Sequence, residues 1–443
     1  MRIIFDWTYI IIGTIYLLYA YNNAFKCKNT FNRTACFVQL VIYLFNCFPI
    51  LLDYLIGIPS YEVLYWWRSM GQAMDNDVVC IIYDIYMLFA MTLIHFLNIR
   101  KNIKLKNTNY IDKDDDKKGS NGTIYINKIF DNKFILLVCI FSPVISILIK
   151  GNWRVYLFYG MTETRGVTEA FSLFSMNNLL LLSIVAFCMM FFRKKLKKRD
   201  IAILIIYSFM IAWICGKRYI IADMIFMYLF FFVQSKNYTK KIEKKLYYIL
   251  PLTAVVIVLF SIYYLISFKN STLISKQNTE AVYETLRADF GRDDVTKYVI
   301  KKEFIDEDSF LDYPLESFLS AVFVWVPRSI WKNKPYQHFE YLTASIKGVE
   351  VQNHGPGMTP SWYEMALANF KEFGFLIGAL LVSVLCKITD SIKSIELKSI
   401  SLMMIIALLT QSIDGCIIYI AIIMITMLWK FVIGRRTIVI RVR

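Results

Sequence analysis

A chain of 443 residues that is 57% hydrophobic, 16% aromatic and 19% charged, with a mean hydropathy of +0.48, is too apolar for a soluble globular fold. Its formal charge of +16 does not mark a nucleic-acid surface, because Lys and Arg gather in short segments between apolar runs, as the positive-inside rule expects. The fold class is therefore an all-α polytopic integral membrane protein, its spans stacked into one bundle.

Apolar runs of span length recur at about 3–21, 35–57, 78–98, 133–149, 177–192, 201–215, 219–233, 247–268, 373–386, 400–412 and 416–433, which predicts eleven transmembrane helices. The first follows Met1 and Arg2 without a small-residue cleavage site and reads as a retained span. Lysine-rich segments 22–34, 99–132, 193–200, 234–246 and 387–399, with the tail GRRTIVIRVR, alternate with the other loops and are expected in the cytoplasm. Segments 58–77, 150–176, 216–218, 269–372 and 414–415 then face outward. The expected organisation is eight spans over 1–268, a large outer loop over 269–372, and three spans with a basic cytoplasmic tail over 373–443.

Most of the nine cysteines (Cys47, Cys80, Cys139, Cys188, Cys215, Cys386 and Cys416 among them) lie in or beside apolar runs, and none falls between 217 and 385. Without a CxxC or a Cys/His cluster, neither a disulfide framework nor a zinc site is expected. In loop 99–132 the run YIDKDDDKKGSNG carries Asp112, Asp114, Asp115 and Asp116, but alternating lysines neutralise it and it reads as a solvated linker. The two halves share no internal repeat of the kind found in many transporters.

The outer loop has three parts. Residues 270–304 predict an amphipathic helix broken at Gly291, with Ala281, Leu286, Val295, Val299 and Ile300 on one face and the charges on the other. Phe318 to Val326 is an apolar run too short to span, stopped by Pro327, and is expected to be interfacial or re-entrant. The Gly/Pro-rich VQNHGPGMTPS then leads into a helix that Thr359 or Ser361 is placed to cap, with Glu364 at the third position of a capping box.

The chemistry-bearing residues of the outer face are mainly cations. Lys217 and Arg218 interrupt a long apolar stretch, where basic groups are matched to an anion or a wet cavity or else snorkel from a simple hairpin. Arg328, Lys332 and Lys334 follow the short apolar run, Arg154 and Arg165 lie in the preceding outer loop, and Arg287 and Arg292 lie in the amphipathic segment. Arginine suits a phosphate through its planar, bidentate fork. His354, His338, Glu364, Asp293 and Asp294 are the candidate general bases, with His354 in a turn where packing seldom demands imidazole. No serine-hydrolase elbow, P-loop or Rossmann fingerprint is present.

The segments VPRSIWKNKP and MTPSWYEMALANFKEFGFLIGALL resemble the late outer loop of the Wzy-type polymerases that assemble O-antigen and capsule repeat units. The matching positions are Pro327, Arg328, Trp331, Lys334 and Pro335, then Thr359, Pro360, Ser361, Glu364, Asn369, Phe370 and Gly374. Gly216–Lys217–Arg218 is similar to that family's Gly-x-Arg between two short spans. One departure is Lys371 ahead of Glu372–Phe373–Gly374, where relatives run Asn-Phe-Gly directly.

The resemblance implies a GT-C-like membrane glycosyltransferase working at the outer face of a bacterial cytoplasmic membrane, without a cofactor or metal. Its substrate would be an oligosaccharide on polyprenyl (undecaprenyl) pyrophosphate, its medium the lipid bilayer, and its partners a chain-length regulator and a flippase. A sugar hydroxyl of one repeat unit would attack the anomeric carbon of the growing chain, and the lipid pyrophosphate would leave. Arg218 and Arg328 are expected on the pyrophosphate, with Lys334, Arg292 and Lys217 assisting, and His354 or Glu364 is expected to orient or deprotonate the acceptor. The alternatives are an O-antigen ligase-like transferase using the same donor and, in a different class, a flippase or transporter of the lipid-linked unit.

Overall fold

The structure, a computed structural model, describes residues 1–26, 33–62, 64–100, 132–151, 153–156, 176–192, 196–216, 219–235, 238–250, 279–323, 326, 328–355, 357–392, 395–411, 413–417 and 419–424. Regular structure among them is entirely helical, without a strand. In chain order the principal helices are α1 (Arg2–Ala24), α2 (Arg33–Ile56), α3 (Arg68–Met74), α4 (Asp77–Arg100) and α5 (Lys133–Lys150). They continue with α6 (Met176–Phe192), α7 (Lys198–Cys215), α8 (Tyr219–Gln234), α9 (Thr279–Phe290) and α10 (Asp293–Ile300). The last are α11 (Glu316–Val322), α12 (His338–Lys347), α13 (Trp362–Phe370), α14 (Phe373–Ser391) and α15 (Ile395–Gln411).

Four of these, α1, α2, α4 and α14, are long and apolar enough to cross a membrane. The other expected spans correspond to shorter apolar helices, or lie outside the described residues: wholly from 251 for the run at 247–268, in part for that at 416–433. The eight described cysteines are free thiols.

Chain contacts divide the molecule into two units. The first comprises 1–107, 241–390 and 405–416, and the second 108–240, 391–404 and 417–443. In the second, Ser183 Oγ on α6 donates to the Ile140 carbonyl of α5 (2.7 Å) and bonds Tyr207 Oη on α7 (2.8 Å). Phe187 stacks on Tyr207 at 3.8 Å between ring centroids, and Ser208 meets Tyr228 of α8 at 3.0 Å. Small hydroxyls thus tie apolar helices together where the hydrophobic effect cannot discriminate helix from lipid.

The first unit holds all four long helices, and their cross-contacts fix direction. Arg2 meets Asp77 (3.7 Å), Tyr9 packs edge-on to Tyr83, and Tyr16 Oη bonds Thr92 Oγ1 (3.3 Å), so α1 and α4 run parallel. Tyr43 Oη lies 2.9 Å from Thr14 Oγ1 and Tyr54 Oη donates to Asp6 (2.6 Å), so α2 runs back between them. Tyr86 Oη donates to the Gly374 carbonyl and Asn98 Nδ2 to Ser383 Oγ (2.8 Å), which makes α14 parallel to α4. At the far end of α14, the Asp390 carboxylate accepts from the Thr34 and Ala35 amides (2.9 and 3.2 Å), capping the positive N-terminus of α2. Arg2, Ile56, Asp77 and Phe373 therefore mark one end of this four-helix set, and α9–α13 gather at that end.

Two glycines allow the close packing there. A side chain at Gly378 would collide with the Tyr86 hydroxyl, and the same residue's carbonyl accepts from Trp362 Nε1 (3.0 Å). A side chain at Gly291 would run into the guanidinium and carbonyl of Arg287. The expected break at Gly291 is present, between α9 and α10. The expected outward-facing charged side is not: all eight residues of α10 are buried, as are Glu284 and Arg287 of α9. The charges go inward because they neutralise one another there.

Candidate functional site

That neutralisation builds the base of the segment formed by α9–α13. The Arg287 guanidinium forks between Asp53, at the end of α2 (2.9 and 2.7 Å), and Asp293, at the start of α10 (2.7 and 2.8 Å). Tyr283 Oη donates to Asp53 (2.6 Å), Lys297 Nζ to Asp293 (3.0 Å), and Tyr61 Oη to Asp294 (2.8 Å). Burial would raise the Asp293 carboxyl, but Arg287 and Lys297 outweigh it and hold it down to about 2. Asp294 lacks a direct cation, and burial pushes it up to about 6 against the pull of Arg287. Burial works against the Lys297 ammonium, yet Asp293 keeps it above the usual lysine range. A network so fully paired anchors the segment to the spans.

Arg292 belongs to this buried base. Its amide donates to the Phe45 carbonyl (3.0 Å), Nε to the Thr410 carbonyl (3.2 Å) and Nη1 to the Gly291 carbonyl (2.6 Å). The guanidinium lies 5.8 Å from the Phe45 ring centre.

Above it, α11, α12 and α13 meet around His338. Ser317 Oγ accepts from Asn369 Nδ2 (2.8 Å), donates to Asn369 Oδ1 (3.0 Å) and lies 3.0 Å from His338 Nδ1. The other ring nitrogen, Nε2, faces Glu364 Oε1 at 3.6 Å. Glu364 accepts from the Ser361 amide (2.6 Å) and hydroxyl, the capping box expected from the sequence. The order Ser–His–Glu has the look of a nucleophile array, but Ser317, His338 and Glu364 are all fully buried, and the arrangement ties three helices together.

The surface cluster is elsewhere on the same segment. Arg328 is exposed, and its guanidinium donates to the Lys334 and Pro335 carbonyls (2.6 and 3.3 Å) while lying 4.2 Å from the Tyr336 ring centre. Lys334 Nζ returns to the Val326 carbonyl (3.0 Å), so the 326–335 turn is closed by its own cations. Burial, then Arg328, lowers the Lys334 ammonium, and Glu340 opposes that shift from across the turn.

Glu340 is the hub. One oxygen accepts from the Gln337 amide (2.8 Å) in the capping box that starts α12. The other stands 3.7 Å from His354 Nε2. The His354 ring lies edge-on to Phe339 at 5.7 Å, and its carbonyl accepts from Lys347 Nζ (2.8 Å). Both side chains of the pair are part-exposed, at 19% and 17%.

Of the residues singled out from sequence, Arg328 meets the Lys334 carbonyl, Lys334 feels the charge of Glu340, and His354 stands beside Glu340. Arg292 and Glu364 are placed in the buried interior, and Lys217 and Arg218 lie outside the described residues. Sequence reasoning missed Glu340; its signal was the Gln337-x-x-Glu340 capping pattern next to a turn histidine. Among the described residues no group of three or more His, Cys, Asp or Glu is arranged to hold a metal ion. No family model, curated protein or solved structure matches the chain.

Proposed function

We propose that the chain is a polysaccharide repeat-unit polymerase: a metal-independent membrane glycosyltransferase that joins oligosaccharides carried on polyprenyl pyrophosphate at the outer face of the bacterial cytoplasmic membrane. The observation that carries this reading is a chain of charges on one segment: Arg328 on the Lys334 carbonyl, Lys334 within the electrostatic influence of Glu340, and Glu340 3.7 Å from the part-exposed His354. Arg328 and Lys334 supply positive charge where a leaving pyrophosphate accumulates negative charge, and His354 with Glu340 supplies an imidazole backed by a carboxylate where a hydroxyl must lose a proton.

In the proposed step the acceptor hydroxyl oxygen bonds to the anomeric carbon of the donor chain. The bond from that carbon to the pyrophosphate oxygen breaks, and its electron pair leaves with the pyrophosphate towards Arg328 and Lys334. The hydroxyl proton passes to His354 Nδ1, the ring nitrogen that does not face Glu340, while Nε2 keeps its proton towards that carboxylate. Lys217 and Arg218 stay in the proposal as further pyrophosphate ligands, on the similarity of their Gly-x-Arg setting alone. Arg292 and Glu364 enter it as the residues that hold the segment in shape.

The test is the glycan of a deletion strain. A polymerase leaves single repeat units on the final acceptor. Loss of all attachment with intact lipid-linked polymer assigns a ligase instead, and lipid-linked units trapped on the cytoplasmic side assign a flippase.

A further inference from the structure

The helix α11 buries its polar side and exposes its apolar one. Ser317 faces His338 and Asn369, Ser320 donates to the Pro335 carbonyl (3.2 Å), and Glu316 accepts from Tyr341 Oη (2.6 Å), all three buried. Outward stand Leu315 at 39% exposure, Leu319 at 36% and Val322 at 51%. The next turn extends this side: Trp331 packs against Phe323 at 5.7 Å, bringing along Ile330, which is 77% exposed. A water-facing helix has the opposite arrangement.

The height of this surface follows from its contacts. Phe318 lies 6.1 Å from Phe370 between ring centroids, and its amide donates to Asn369 Oδ1 (3.4 Å). Phe370 is three residues ahead of Phe373, the exposed first residue of the membrane-length helix α14. At about 1.5 Å per residue in helix and at most about 3.6 Å extended, Phe370 is within about 5–11 Å of the start of that span, and Phe318 of α11 packs on Phe370. Arg328 and Lys332, both exposed, stand two residues to either side of Ile330 in the chain.

We propose that Leu315, Leu319, Val322 and Ile330 form a lipid-docking surface that lies on the outer leaflet of the bilayer crossed by α14. Arg328 and Lys332 then stand at the level of anionic headgroups. Apolar side chains with flanking cations are the composition that settles at a membrane interface. A second copy of the chain suits the surface less well, because a two-fold contact would set Arg328 and Lys332 against their own like charges. The inference does not depend on which reaction the chain performs.

The experiment uses the full-length chain in nanodiscs of phosphatidylethanolamine and phosphatidylglycerol. The photoreactive residue p-benzoylphenylalanine replaces Leu319, Val322 or Ile330 in separate proteins and, as a reference for lipid contact, Phe373. After irradiation, mass spectrometry is expected to find phospholipid adducts at all four positions. The adduct at position 319 is expected to be lost when Leu315→Glu and Val322→Glu are added. Adducts at 373 without any at 319, 322 and 330 would overturn the proposal, as would chain-to-chain crosslinks from position 319.

Discussion

Glu340 Oε1 stands 3.7 Å from Nε2 of His354, while the other carboxylate oxygen caps the helix that carries it. One side chain therefore does two jobs, and they separate by substitution. In Glu340→Gln the amide oxygen still accepts from the Gln337 amide, as capping boxes allow, but the charge beside the imidazole is gone. The variant is expected to fold and insert normally and to polymerise more slowly, with a lower kcat and an unchanged KM for the lipid-linked donor. His354→Ala is expected to lose about 10²–10⁴-fold in rate. The double variant is expected to be no slower than His354→Ala, because the two residues act as a unit; additive losses measured on purified protein would mean they act separately.

His338 is the counter-example. It is fully buried between Ser317 and Glu364, so His338→Ala leaves a cavity and removes one of the partners of the Ser317 hydroxyl, which keeps Asn369. The expected cost is about 1–3 kcal/mol of stability, seen as a lower thermal midpoint in detergent. Activity per folded molecule is expected to stay near that of the parent, which a rate normalised to folded protein checks.

Arg287 holds Asp53 and Asp293 at once. Arg287→Met leaves two buried carboxylates without their shared cation. Removing one partner of a buried pair costs about 3–5 kcal/mol, and the loss is expected to appear as faster proteolysis within 279–372. Rescue by Asp53→Asn in the same chain would support the pairing, since it removes one of the stranded charges.

Asp294 gives the α9–α13 segment a pH dependence of definite sign. Its carboxyl titrates at about 6 in the folded chain, against about 3.9 when unfolded. Its contribution to stability is thus complete below about pH 4 and is lost as the pH rises through about 6. Asp293 behaves oppositely: held at about 2, it stabilises above the unfolded value and loses that contribution only as the pH falls towards about 2. Between pH 4 and 7 the Asp294 slope is therefore the one exposed to measurement. Asp294→Asn is expected to flatten it, read as thermal midpoint against pH.

Much of this architecture was legible in the residues. Apolar runs marked the helices, Gly291 marked the break between α9 and α10, and Ser361 with Glu364 marked the start of α13. The short apolar run after Phe318 was read as interfacial, and α11 exposes Leu319 and Val322 as that reading needs. Other features were hidden because they depend on long-range pairing. Periodicity put the charges of α9 and α10 outward; only the meeting of Arg287 with Asp53, over two hundred residues away in sequence, makes their burial tolerable. Arg292 read as a free cation and is spent on carbonyls of Gly291 and Thr410. Lys371, the departure from the family's pattern, takes φ +53° where α13 ends, and its ammonium reaches Glu303 and Ser309. It is a joint between two helices.

The most direct test of the polymerase reading is the glycan ladder of a deletion strain complemented with Arg328→Ala at the membrane abundance of the parent protein. The account predicts single repeat units with the long-chain ladder missing or severely shortened. An unchanged long-chain ladder would contradict it.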